Sequence, residues 1–247
     1  MNSAFNLASD FYLSDRIVHV WLADLDVPDY LLCQYAGLLS AVEKERAAGF
    51  VFEQNRQRFV AAHGILRILL GHYLQTDPAD VPLVTMKNGK PVVAASFYSK
   101  RIRFNLSYSD ERAMFGITSV RPIGVDIEKI RQIPEIPHII ANHFSAAEKA
   151  LIEELTGAKR LWQFYRCWVK KEALVKAQGA GLRALSASVI EKKEKNGMNI
   201  LKTLDEDTGV HEDWAQEYLE PGEGWAAAAV VQGDNIQVRE YNWPIFS

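Results

Sequence analysis

The chain has 247 residues, 48% of them hydrophobic and 24% charged, and a formal net charge of −3. That length holds one large domain or two small ones, and the composition is ordinary for a soluble globular protein. The slight acidity argues against a general nucleic-acid binder; no apolar run approaches a membrane span; and no basic-then-apolar signal opens the chain. The two cysteines, Cys33 and Cys167, have neither disulfide-framework nor zinc-site spacing. Read as reduced core thiols, they fit a cytoplasmic location.

In chain order, IVHVWLADL (Ile17 to Leu25) alternates and is rich in β-formers, which predicts a strand. Residues 30–49 read as helical, with Ser40 placed to cap SAVEKERA. From Gln54 to Gln75 a helix is predicted, because Phe59, Leu66, Leu70 and Tyr73 recur at helical spacing. TDPAD and KNGKP are turns. RIRFNLSYS and RAMFGITSV read as two strands joined by the polar SDE, and RPIGVDIEKI as a third. RQIPEIPH, with two prolines, reads as a loop. Ser145 followed by Glu148 forms a capping box opening the next helix. A longer helix covers 158–178 and stops at Gly179. EYLEPGEGWAAAAVV reads as a closing hairpin. The class is α+β. A boundary near Val120 gives an N-terminal lobe over 1–120 and a C-terminal lobe over 121–247. Each has a helix followed by strand-like segments, which permits two similar lobes.

The chemistry concentrates in GVDIEKI. Asp126 and Glu128 stand two apart on a strand and so share a face. Like charges that close repel unless something positive lies between them. On the helix at 158–178, Leu161, Tyr165, Trp168 and Val175 form an apolar stripe, and Glu172 occupies a position within it. Lys176 follows one turn later. Taken alone, Glu172 and Lys176 are an ordinary i,i+4 ion pair of about 0.2–0.5 kcal/mol. Taken with Asp126 and Glu128, Glu172 completes three oxygen ligands for a hard cation. Mg²⁺ is the natural choice, since it keeps waters and substrate phosphates in its sphere; Mn²⁺ also suits the donors. A phosphate partner needs cations. Arg56, His63 and Arg67 fall within a narrow arc of the helix from Gln54, and Lys87 and Lys90 flank a glycine turn whose N–H groups can approach an anion. Alone, the arc is a solvated face, His63 a packed histidine and KNGKP a surface turn. Their order along one chain is what points to phosphate.

GVDIEKI, followed about 40 residues on by WVKKEALVKAQGAGL, resembles the paired signatures of the 4'-phosphopantetheinyl transferases. The upstream GKP and FNLSYS resemble further motifs of the larger, surfactin-synthetase type. The resemblance runs from about Glu43 through Leu182. It implies transfer of 4'-phosphopantetheine from coenzyme A to a serine of an apo acyl or peptidyl carrier protein, releasing 3',5'-ADP. It also implies a monomer of two similar α+β lobes related by a pseudo-twofold, with the active site in the cleft between them. By motif, Asp126, Glu128 and Glu172 match the metal-binding acids, and Lys176 the lysine that faces the phosphates. Arg46, in EKERAAGFVF, matches a basic residue that contacts coenzyme A. Arg56 and His63 fall where the family carries further basic residues, and Lys90 and Ser107 match coenzyme A contacts. Glu148 stands where the family often has an acid, a candidate general base beside its capping role, with Glu172 or a metal-bound water as the alternatives. One departure is Tyr108, where the family commonly has histidine. A phenol brings no positive charge to the 3'-phosphate near neutral pH, leaving His63 or Arg46 to compensate. Arg131 to Phe144 combines prolines with apolar residues and is a candidate carrier-docking stretch, or a plain connection. Two rivals remain: a coenzyme A-binding module without transfer activity, and an interaction protein whose acids sit in salt bridges.

Overall fold

The structure, a computed structural model, describes residues 12–86, 89–94, 102–179, 191–195, 198–204 and 211–244. Lys87 lies outside them. Strand β1 (Ile17–Asp24) leads into three helices, α1 (Asp29–Leu38), α2 (Ala41–Ala48) and α3 (Glu53–Leu74). A short 3-10 turn (Pro78–Asp80) and the small ladder β2 (Leu83–Thr85) and β3 (Pro91–Val93) follow. Next come β4 (Arg103–Ser109), β5 (Arg112–Thr118) and β6 (Ile123–Lys129), then α4 (Ile136–His143), α5 (Ala146–Glu153) and α6 (Gly157–Gln178). The last strands are β7 (Glu191–Lys195), β8 (Met198–Leu204), β9 (His211–Leu219), β10 (Trp225–Gln232) and β11 (Gln237–Asn242).

One sheet has the order β11-β1-β5-β4 and the other β6-β10-β9-β8-β7. Strand periodicity decides what each sheet covers. On β1, Val18 and Val20 join Met114, Ile123, Val125, Ile127 and Ala229 in a core between the two sheets. The alternate residues Trp21 and Ala23 face α1–α3, packed with Phe59, Ile65, Leu66 and Leu70. On β10, Ala227, Ala229 and Val231 fill the inter-sheet core, while Ala226, Ala228 and Val230 pack with Phe164, Val169 and Ala173 of α6. The layers are therefore helices, sheet, sheet, helices, which is the expected mixed α+β class. A shared connection order underlies them. β1, α1–α3, β4 and β5 assemble as β1-β5-β4; β6, α4–α6, β9 and β10 assemble as β6-β10-β9. The long helices α3 and α6 are each 22 residues.

Several expectations shift in detail. The helix over 30–49 divides, because Leu39 is extended and Ser40 starts a new helix with a full capping box to Glu43. The loop over 131–138 ends early: Pro137 sits in the first turn of α4, where a missing N–H leaves no bond unmade. Cys33 is exposed, not a core residue; Cys167 is buried, and neither is paired. The closing hairpin is β9–β10, but β11 then crosses back to pair in parallel with β1. No helix among the described residues is long and apolar enough to cross a membrane.

Candidate active site

β4 and β6 belong to different sheets and are stitched by side chains. Asn105 Oδ1 accepts from the backbone N–H of Val125 at 2.8 Å. Ser107 Oγ donates to Asp126 Oδ1 at 2.8 Å, and Ser109 Oγ donates to Glu128 Oε2 at 2.9 Å. Three short polar side chains at alternate positions share a face of β4. They meet the β6 face that carries both acids. Behind β6 stands α6. Gly124 makes that approach possible: a Cβ there would press well inside contact distance of Ala173 O and Ala177 N. The close approach delivers Glu172 and Lys176 to the acids.

Lys176 Nζ donates to Asp126 Oδ1 at 2.6 Å and to Ser107 Oγ at 3.0 Å. Lys90 Nζ, 86 residues away in sequence, donates to the carbonyl of Lys176 at 2.7 Å and ties the GKP turn to the end of α6. Asp126 is 2% exposed. Its Oδ2 and the Oε1 of Glu172 are buried with no hydrogen-bond partner. Electrostatics register the crowding. Burial raises the Asp126 carboxyl against the pull of Lys176. Burial, then the Asp126 charge, pushes Glu128 up to about 7, and the same two causes push Glu172 to about 7. The cluster thus holds more negative charge than its own cations neutralise.

The donor set fits a hard cation. Two orphaned carboxylate oxygens and a third acid stand on facing elements, all oxygen ligands. Among the described residues no group of three or more His, Cys, Asp or Glu is arranged to hold a metal ion as it stands. At Asp126 the Lys176 ammonium takes one carboxylate oxygen, Oδ1, and leaves Oδ2 open.

The cationic arc of α3 separates into different jobs. Arg67 is 2% exposed, donating to Glu43 Oε2 at 2.7 Å and to the carbonyls of Pro78, Ala79 and Val81. It holds the fold together and is not open to a phosphate. His63 stacks on Phe59 at 4.0 Å between ring centroids, with Nδ1 3.0 Å from Glu43 Oε1. Arg46 lies over the same Phe59 ring, its Cζ 5.4 Å from the centroid. Arg56 is half-buried and paired with Glu53 in its own helix. Tyr108 points to the opposite side of β4 from Ser107 and packs against the α1–α3 core. Burial raises its hydroxyl, and the charge of Arg46 pulls it back, so Arg46 brings positive charge to Tyr108. Glu148 performs its capping role with Ser145 and also receives Lys170 at 3.2 Å and Lys171 at 2.9 Å. Burial alone would raise it, but the two lysines hold it below the usual carboxylate range.

Reading the sequence passed over Asn105, Ser109 and Glu43. The first two carried a legible signal, small polar residues alternating on a strand that precedes a strand with alternating acids. Glu43 carried only its capping box with Ser40.

The chain is similar to known proteins. The family described as the 4'-phosphopantetheinyl transferase superfamily matches residues 122–230, the span from β6 through most of β10. The chain is 32% identical over 231 residues to the 4'-phosphopantetheinyl transferase HetI of Nostoc sp., covering 94% of each. It is 31% identical over 175 residues to the phosphopantetheinyl transferase of Thraustochytrium sp., 66% of this chain and 60% of that one. It is also 31% identical over 148 residues to the human L-aminoadipate-semialdehyde dehydrogenase-phosphopantetheinyl transferase, 57% of this chain and 48% of that one.

Proposed function

The chain belongs to the 4'-phosphopantetheinyl transferase superfamily, and from that premise we propose that the β4–β6–α6 cluster is the centre at which it transfers phosphopantetheine from coenzyme A to an apo acyl or peptidyl carrier protein. The observation that carries the placement is the pair of buried, unpartnered oxygens on Asp126 and Glu172 beside Lys176. The reacting serine hydroxyl of the carrier forms a bond to the β-phosphorus of the diphosphate. The bond to 3',5'-ADP breaks, and the serine proton goes to a carboxylate.

Asp126, Glu128 and Glu172 would hold Mg²⁺, with Mn²⁺ as a substitute. When bound, the cation supplies charge neutralisation for the diphosphate and the leaving group. Lys176 stabilises charge on the transferring phosphate, a role its position beside Asp126 supports. Of the carboxylates considered as bases, Glu148 is committed to its cap and to Lys170 and Lys171, which hold it low. Glu172 stands in the cluster itself, and its second carboxylate oxygen would take the serine proton while the first serves the cation. Arg46, His63, Lys90 and Tyr108 would line the proposed coenzyme A side, with Arg56 further out; Ser107, on the other face of β4, would hold Asp126 beside it, and Lys87 stays a coenzyme A contact on its sequence position alone. The shared connection order of the two halves supports a pseudo-twofold of lobes over 1–120 and 121–247 with the site between them. The reading keeps a cytoplasmic location, which the two unpaired thiols fit, and a monomer, which the resemblance to two-lobed single chains implies. A coenzyme A-binding module without transfer activity is not favoured, because all three relatives are named as transferases.

The test is intact-mass spectrometry of apo carrier protein mixed with coenzyme A, Mg²⁺ and the enzyme. A phosphopantetheine-sized gain is expected, absent with chelator and with Glu172→Ala. A gain that survives Glu172→Ala and Asp126→Ala would remove this cluster from the reaction.

A further inference from the structure

Glu128 differs from its neighbour in how it is held. Asp126 is buried and gripped by Ser107 and Lys176. Glu128 is one methylene longer and half-buried, and its Oε2 accepts from Ser109 Oγ at 2.9 Å. The Ser109 hydroxyl is itself oriented. Its oxygen accepts from the backbone N–H of Lys129 at 3.4 Å, which directs the hydroxyl proton toward the carboxylate. The turn that follows Ser109 is pinned from several sides. Asp110 takes a left-handed backbone, φ 43°. Glu111 O accepts from Leu25 N at 2.7 Å, and the Glu111 carboxylate receives Lys129 Nζ at 2.9 Å. Arg131 reaches Asp110 at 3.3 Å.

From this geometry we infer that Ser109 is a positioning residue, which sets the rotamer of Glu128 before a divalent cation arrives. The inference deepens the proposed function and rests on its metal reading. A free glutamate side chain has three rotatable bonds to immobilise, and fixing one oxygen in advance removes that loss from the binding step. Outer hydrogen bonds that orient a ligating carboxylate govern metal affinity about 10–100-fold in general. The single neutral hydroxyl here places Ser109 at the lower end.

The experiment uses the full chain with coenzyme A present and follows Mn²⁺ binding by electron paramagnetic resonance, alongside the Mg²⁺ dependence of transfer. Ser109→Ala should weaken Mn²⁺ binding about tenfold. It should raise the Mg²⁺ concentration for half-maximal rate by a similar factor. The rate at saturating Mg²⁺ and the KM for coenzyme A should stay within about twofold, a split that a merely structural role would not produce. Ser109→Thr keeps the hydroxyl on a strand that favours β-branched residues and should restore affinity. Unchanged Mn²⁺ affinity in folded Ser109→Ala would overturn the inference alone. So would a Thr variant as weak as the Ala variant. If the unaltered protein takes up no Mn²⁺ with coenzyme A, the metal reading itself falls and the inference falls with it.

Discussion

Glu43 offers the sharpest energetic test of how the coenzyme A side is built. Its carboxylate, with a side chain 12% exposed, accepts from buried Arg67 and contacts His63. Burial pushes its pKa up, yet hydrogen bonds from His63 and Ser40 and the charge of Arg67 bring it down from 4.5 to about 2. A depression of that size is linked to about 3 kcal/mol of stability, at 1.36 kcal/mol per pKa unit. A folded pKa below the unfolded one stabilises fully above the unfolded value, and the gain is lost as pH falls toward the folded value. Glu43→Gln keeps the shape and removes the charge, leaving Arg67 buried with carbonyl acceptors alone. Breaking a buried ion pair from one side costs about 3–5 kcal/mol in general, so two routes converge. Urea unfolding of both proteins at pH 7, 4 and 2.5 measures it. The gap should be about 3 kcal/mol at pH 7 and close progressively below pH 4.5. A gap below about 1 kcal/mol at pH 7, or one that does not shrink with acid, would refute the reasoning.

Two further outcomes follow from the geometry. Tyr108→His should raise the preference for coenzyme A over its dephospho form by about fivefold, a unit charge near 4 Å in a solvated site being worth about 1 kcal/mol. The gain should be larger at pH 6 than at pH 8, since a histidine near its ordinary pKa of about 6.5 is charged only below it, and larger at low salt; an unchanged ratio would show that Tyr108 does not face the 3'-phosphate. Gly124→Ala should destabilise by about 3 kcal/mol, the upper part of the overpacking range, because the new methyl meets the α6 backbone at Ala173 and Ala177; a change within about 0.5 kcal/mol in urea would mean β6 and α6 can separate freely.

What the residues disclosed in advance depended on whether a pattern was local. GVDIEK was legible as a strand with both acids on one face, and Glu172 as an acid out of place in an apolar stripe. The cap at Ser40 and the capping box at Ser145 were legible because each is contained in four residues. The arc of Arg56, His63 and Arg67 was legible as an arc, but its use was not. Helical spacing says which residues share a face, while the Pro78–Val81 carbonyls and Glu43 decide which of them is buried. β7 and β11 went unread because EKKEK and QVREYN lack the apolar alternation of a strand with a buried face. The pairing of β11 with β1 is long-range and leaves no local trace, whereas β7 pairs with β8, next in the chain, and was hidden by its polar sequence alone. The β4–β6 stitching was invisible for a related reason: it replaces a backbone ladder with Asn105, Ser107 and Ser109, and no propensity scale registers side chains that bridge sheets.

The return of β11 to β1 sets a schedule for synthesis. β5 ends at Thr118 and β11 begins at Gln237, 119 residues later. At about 5–20 residues per second, roughly 6–24 s separate their emergence from the ribosome. Throughout that interval the outer edge of β1, an apolar strand reading IVHVWLAD, has made every pairing except its last. Trp21 waits for the Tyr241 ring that will stack on it at 4.5 Å. An open edge of that kind recruits other chains, so the nascent protein is most vulnerable to association after its N-terminal half has folded, and a ribosome that stalls before residue 237 releases a chain with its first sheet unclosed.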